Sequence, residues 1–231
     1  MQYFRYGGLP GACFIRNDAI RTQKIRDQIE TILNLDLRQV YPTTLTLREL
    51  FGFLEALARR DGEMIEHATL KRETGISPIT QKKLLFALES VFLIRILGCE
   101  GDFKGFSVLF EDQAEALVCS KERLEPLVQW TGLVYRNLRE QVFYNIGANF
   151  DFFQYRTRGG AFIPIGLRLP GCTLGFLPIL GDLNRSAIAS AHSFLRKFSD
   201  SRVIFVTDQN LIRILDERMA ILPATALLFY L

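Results

Sequence analysis

The stretch from Ile65 to Val91 limits the possible folds more than any other part of this chain. A short helical pattern over residues 65–74 stops at Gly75, Ser77-Pro78 offers an N-cap with proline at the first helical position, and a second helical pattern starts at once. Helix, glycine turn, capped helix is the grammar of a helix-turn-helix. Two β-capable runs follow, over residues 92–97 and 106–110, and the glycines Gly98, Gly101 and Gly105 give the intervening residues turn composition. A hairpin behind a helix-turn-helix is a wing, so residues 43–120 are expected to form a winged-helix domain closed by a helix or turn over 111–118. Within the second helix, Thr80, Leu84, Ala87, Leu88 and Val91 are expected to face inward. Pro78, Gln81, Lys82, Leu85 and Glu89 are placed on the other side, and Lys83 sideways.

Upstream, Gly7-Gly8-Leu9-Pro10-Gly11 is a turn-rich opening, and Ile20, Ile25, Ile29, Ile32, Leu33 and Leu37 recur at helical spacing, with a break expected near Asn34. Residues 1–42 therefore read as a helical linker, after which Leu47, Leu50, Phe51, Leu54, Leu57 and Ala58 begin the next apolar stripe. From residue 121 onward the pattern changes. A helix over 128–146, β-rich segments over 150–156, 161–169 and 173–180, a helix over 186–198 and an apolar strand over 202–207 describe an α/β domain with a central sheet. The expected fold class is α+β: a linker at 1–42, a winged helix at 43–120 and an α/β domain at 121–231.

Composition narrows the functional classes. With 231 residues, 48% hydrophobic and 23% charged, the chain is expected to be a folded globular protein. It has no apolar run of the roughly 18–20 residues that cross a bilayer and no export signal at its start, so a cytoplasmic protein with no membrane partner is expected. Cys13, Cys99, Cys119 and Cys172 lie far apart, without the pairing of a zinc or redox site, and read as small buried hydrophobes. The net charge of +3 is unevenly spread: residues 42–120 hold nine Lys/Arg against twelve Asp/Glu, and residues 121–231 thirteen against nine.

The order of these parts resembles the C-terminal region of prokaryotic AAA-type ATPases, a conserved domain of unknown function. The resemblance is carried by Gly7-Gly8-Leu9-Pro10, by Leu35-Asp36-Leu37, by Gly75-Ile76-Ser77 with Thr80, Leu84-Leu85, Leu88-Glu89 and Phe92-Leu93-Ile94, and by Leu109-Phe110-Glu111-Asp112. It implies a winged helix followed by a restriction-endonuclease-like fold of the PD-(D/E)XK type. Two departures stand out. The ATPase module that precedes the Gly-Gly-x-Pro motif is absent, and no G-x4-G-K-[ST] loop occurs. The carboxylates that would hold Mg2+ are also replaced: Tyr135 stands at the helix acid, Phe162 and Pro164 follow Arg156-Thr157-Arg158-Gly159-Gly160-Ala161, and Pro178 and Leu180 take the positions of the Glu-x-Lys strand. A nuclease fold without its reaction centre is expected, with no catalytic residue, metal or cofactor.

Other chemistry-bearing residues have plainer readings. Asp102-Phe103-Lys104 contains the letters D-x-K but lies between Gly101 and Gly105, the composition of a hairpin tip. Asp182 suits a loop or cap, and His67 and His192 lack the orienting neighbour a general base needs. Trp130 reads as packing, and Phe150, Phe152, Phe153 and Tyr155 as a core strand or as a stacking platform for single-stranded bases beside Arg156 and Arg158. The leading expectation is weak DNA binding through Ser77, Thr80, Gln81, Lys82 and Lys83 at the start of the second helix, Lys104 in the wing, and Arg156 and Arg158 in the last domain. The alternatives are a scaffold that docks an AAA-type ATPase or self-associates through an outward Leu85, and a divergent metal-dependent nuclease.

Overall fold

Helices begin where a side chain can receive their first free amides. In the computed structural model, which describes residues 6–103, 105–120, 124–147 and 149–229, Asn17 accepts from the amides of Ala19 at 3.0 Å and Ile20 at 3.1 Å. This opens α1 (Asp18–Thr31), which widens into a π-helical segment (Ile32–Asp36) and returns to α-helix as α2 (Leu37–Val40). The π segment includes Asn34, where the break was expected. It also explains the packing. Ile25, Ile29, Leu33 and Leu37 are all buried, yet a spacing of four drifts around a regular helix of 3.6 residues per turn. One wider turn brings Leu33 and Leu37 back onto the buried side.

The chain divides into two compact units, residues 1–96 with 105–125, and residues 97–104 with 126–231. In the first unit, α3 (Leu47–Ala58) is opened by a reciprocal cap in which Thr46 and Glu49 bond each other's side chains and backbone amides. Strand β1 (Met64–Ile65), α4 (His67–Thr74) and α5 (Pro78–Ser90) follow, and then β2 (Ile94–Gly101), β3 (Phe106–Phe110) and α6 (Gln113–Ser120). Gly75 sits in the left-handed region at φ 73° and closes α4 through its amide on the Lys71 carbonyl. Strand β3 runs antiparallel to β1, with Met64 opposite Ser107 and Ile65 opposite Phe106. Ile29, Leu33 and Leu37 share one buried core with Phe53, Leu57, Leu84, Leu88 and Phe110, so residues 6–42 pack as part of the unit that holds α4 and α5. The Gly-Gly loop is tied to the same core: Asp112 accepts from the amides of Gly8 and Ala114, both at 2.7 Å.

The second unit starts inside β2. Residues Gly98 to Gly101 pair in parallel with Phe153 to Arg156, so a segment expected as the turn of a wing is strand over its first four residues. Helix α7 (Pro126–Ile146) precedes β4 (Asp151–Arg156), β5 (Phe162–Leu169) and β6 (Cys172–Ile179), an antiparallel run, and α8 (Arg185–Lys197) leads to β7 (Ser201–Thr207), parallel to β6. Two strands not foreseen from sequence, β8 (Arg213–Asp216) and β9 (Met219–Pro223), extend the sheet in the order β7-β9-β8, before α9 (Ala224–Phe229). Adjacent strand residues face opposite sides. Phe152 meets Tyr135 of α7 at 5.2 Å between ring centroids, whereas Phe153 stacks on Phe194 of α8 at 6.3 Å, so the two helices cover opposite faces. The Phe-rich strand is core on both sides. Trp130 also packs here, donating its indole N–H to the Val206 carbonyl at 3.2 Å.

Candidate nucleic-acid interface

Helices α4 and α5 are joined through a polar residue. Gln81 is fully buried at 0% exposure; its amide nitrogen donates to the carbonyls of Ile76 at 2.8 Å and His67 at 3.2 Å, and its oxygen lies 2.8 Å from Nδ1 of His67. These bonds join the first residue of α4, the turn and α5. The sequence reading placed Gln81 among the DNA-facing residues, and that is corrected: its donors and acceptor are committed to the scaffold. Leu85 is corrected with it, being buried at 4% exposure. The buried stripe is Gln81, Leu84, Leu85 and Leu88, spaced i, i+3, i+4, i+7, and a glutamine at its head disguised the phase of the helix.

The opposite stripe has the same spacing. Ile79 is 71% and Phe86 66% exposed, and Lys82 and Lys83 between them are exposed as well. Lys83 lies with its ammonium 5.9 Å from the Tyr41 ring centroid. Ser77 accepts from the Thr80 amide at 3.2 Å, and the two hydroxyls are 2.9 Å apart, so this exposed Ser77 and half-buried Thr80 form the cap at the start of the helix. The only acid of α5, Glu89, is half-buried and accepts the Ile96 amide at 3.0 Å. The outward stripe from Ile79 to Phe86 therefore carries two cations, two large apolar groups and no carboxylate. Ile79 and Phe86 were missed because the expected helical phase was displaced; the i, i+7 spacing around Lys82-Lys83 was the available signal.

The remaining candidates lie in the second unit, except Lys104, which is outside the described residues. The Arg156 guanidinium is half-buried between the rings of Phe103, 5.0 Å away, and Phe162, 5.6 Å away. Arg158 is exposed, and its amide donates to Asp102 at 3.3 Å, while the Asp102 amide donates to the Arg156 carbonyl at 3.1 Å. Asp102 thus fastens the end of β2 to β4 and the turn after it. At the positions that the sequence resemblance assigns to nuclease carboxylates, Tyr135 is buried against Phe152, Pro164 and Pro178 are buried, and Phe162 lies against Arg156. Among the described residues, no group of three or more His, Cys, Asp and Glu side chains is placed to hold a metal ion. His192 and Asp182 are exposed.

Comparison with protein families finds that residues 1–99 match a family described as a domain of unknown function (DUF8612), a match that covers most of the first unit and less than half of the chain. Comparison with curated proteins and with solved structures returns no match. The chain is thus similar to this family over its first 99 residues, within a two-unit α/β protein whose described helices are all too short or too polar to cross a membrane.

Proposed function

We propose that the first unit is a winged-helix module that binds duplex DNA through the outer stripe of α5, carried beside a nuclease-like α/β unit that lacks a reaction centre. The observation that carries this reading is the Gln81 clamp. A helix whose inner face is bonded to the preceding helix and turn presents Lys82 and Lys83 at a fixed angle, as a recognition helix must. The local charge supports it too, since the single acid of α5 is engaged with the Ile96 amide. The proposed contact rests on the helix; β2 lies beside β3 in the sheet, and its other edge is paired with β4 through Gly98 to Gly101. Arg158 supplies a further exposed cation in the second unit.

The test is fluorescence anisotropy of a labelled duplex across roughly 50 to 200 mM salt. Two phosphate contacts from Lys82 and Lys83 should make the double alanine variant lower the salt slope by roughly two. Affinity without salt dependence, or equal slopes for both proteins, would remove the reading.

A second reading is favoured by the exposure of Ile79 and Phe86, which suits a protein surface. Under it the same stripe docks a partner such as an AAA-type ATPase or a second copy. Light scattering showing a dimer that dissociates on Phe86→Ala would favour it over DNA.

A further inference from the structure

We infer that the outer stripe of α5 reads thymine: Ile79 and Phe86 are placed to pack on C5-methyl groups in the major groove, with Lys82 and Lys83 meeting phosphate or guanine between them. This rests on the DNA reading above and gives it a sequence class. Phosphate contact alone calls for cations, yet half of this stripe is hydrocarbon, exposed at 71% for Ile79 and 66% for Phe86. On the major-groove edges of the four base pairs, the one apolar group is the thymine methyl. The usual partner for adenine is an Asn or Gln amide, and the glutamine of this helix is buried with its bonds already made. What remains outward matches thymine through its methyl and guanine or phosphate through the lysines. Charge complementarity selects nucleic acid over an apolar protein groove, since two lysines and no acid lie within the stripe.

The spacing adds a length. Ile79 and Phe86 are separated by seven helical residues, a rise of about 10 Å at ~1.5 Å per residue. Base pairs stack every ~3.4 Å, so the two side chains reach thymines about three base pairs apart.

The experiment compares a duplex of alternating dA·dT, roughly twenty base pairs long, with the same duplex made with deoxyuridine, which removes the methyls and leaves the other major-groove groups. Burial of a methyl is worth about fourfold in affinity, so wild type should bind the thymine duplex about fifteenfold more tightly through two contacts. The ratio should fall to about fourfold in Ile79→Ala and in Phe86→Ala, and to about one in the double variant. Both side chains are exposed, so these truncations leave the core intact, which circular dichroism checks. Equal binding of the two duplexes by wild type would overturn the thymine inference and leave the DNA reading standing. A thymine preference that survives in the double variant would overturn it too, by showing that the methyl effect arises elsewhere. No binding to either duplex would overturn both.

Discussion

Replacing Gln81 with methionine tests the structural premise of the site, because it keeps the side chain's length and volume while deleting its amide. The cavity contribution is then close to zero and the loss is one of hydrogen bonds. Ile76 is buried, so its carbonyl, which now accepts from Nε2 of Gln81 at 2.8 Å, would be left without that donor; an unsatisfied buried acceptor costs about 1–3 kcal/mol. His67 is half-buried, and its carbonyl and Nδ1 can turn partly to water, so each of those two bonds is worth about 0.5–1 kcal/mol. The sum is a loss of about 2–5 kcal/mol. Urea unfolding followed by far-ultraviolet circular dichroism should show it: with a denaturant slope of about 1–3 kcal/mol per molar, the midpoint of the first unit's transition should fall by roughly 1–2 M. Hydrogen exchange at the amides of Gly75, Ile76 and Ser77 should accelerate in the same variant and localise the effect to the turn. Combined with His67→Ala, the losses should be less than additive by about 1 kcal/mol, because both changes delete one shared bond. A midpoint within about 0.3 M of wild type, with unchanged exchange at the turn, would refute the claim that Gln81 fastens α5 to α4 and the turn.

Four further outcomes follow from named contacts. Gly101→Ala should lower the urea midpoint reported by Trp130 fluorescence by more than any exposed substitution in the second unit, since Gly101 is at φ 116° and an added Cβ would lie 2.1 Å from the Arg156 carbonyl oxygen. Asp112→Ala should cost about 1–2 kcal/mol and speed proteolysis at Arg16, because it frees the Gly8 and Ala114 amides that hold the N-terminal loop and start α6. Phe92→Gly should stabilise the protein by about 0.5–1 kcal/mol in thermal unfolding, as Phe92 is a non-glycine residue at φ 56° and 69% exposed; an unchanged or lower melting temperature would mean that its contact with Arg95, 5.3 Å from the ring, outweighs the backbone cost. Finally, the Thr46 amide and then its hydroxyl hold the Glu49 carboxyl below the usual range. A depressed folded pKa gives stability that is present above the unfolded value and lost as the pH falls from about 4.3 through the folded one, so Glu49→Gln should flatten that part of an acid-unfolding curve.

What could be read from the residues, and what could not, separates along the range of the interaction. The start of α5 was legible because it is local: Ser77-Pro78 needs only the Thr80 amide three residues on. The helical phase of α5 was not, because its buried stripe begins with Gln81, whose reason for burial is His67, fourteen residues earlier. The turn ascribed to residues 98–105 failed for a related reason. Glycine marks turns by composition, yet at Gly101 the absence of a Cβ serves a close approach to the Arg156 backbone, a contact across more than fifty residues that no local pattern records. Strand β8 was missed because Arg213–Asp216 has only four residues and no alternation of burial. Two of these misreadings bear on the candidate site. Binding residues were expected on a wing and on a helix face that included Gln81; β2 lies beside β3 as a hairpin requires and is paired on its other edge with β4, whereas Gln81 is interior. On the proposed DNA reading, recognition narrows to four outward side chains of one helix, Ile79, Lys82, Lys83 and Phe86. Their mixture of cation and hydrocarbon makes a base-reading contact chemically sensible where a phosphate contact alone would leave the two apolar groups without a purpose.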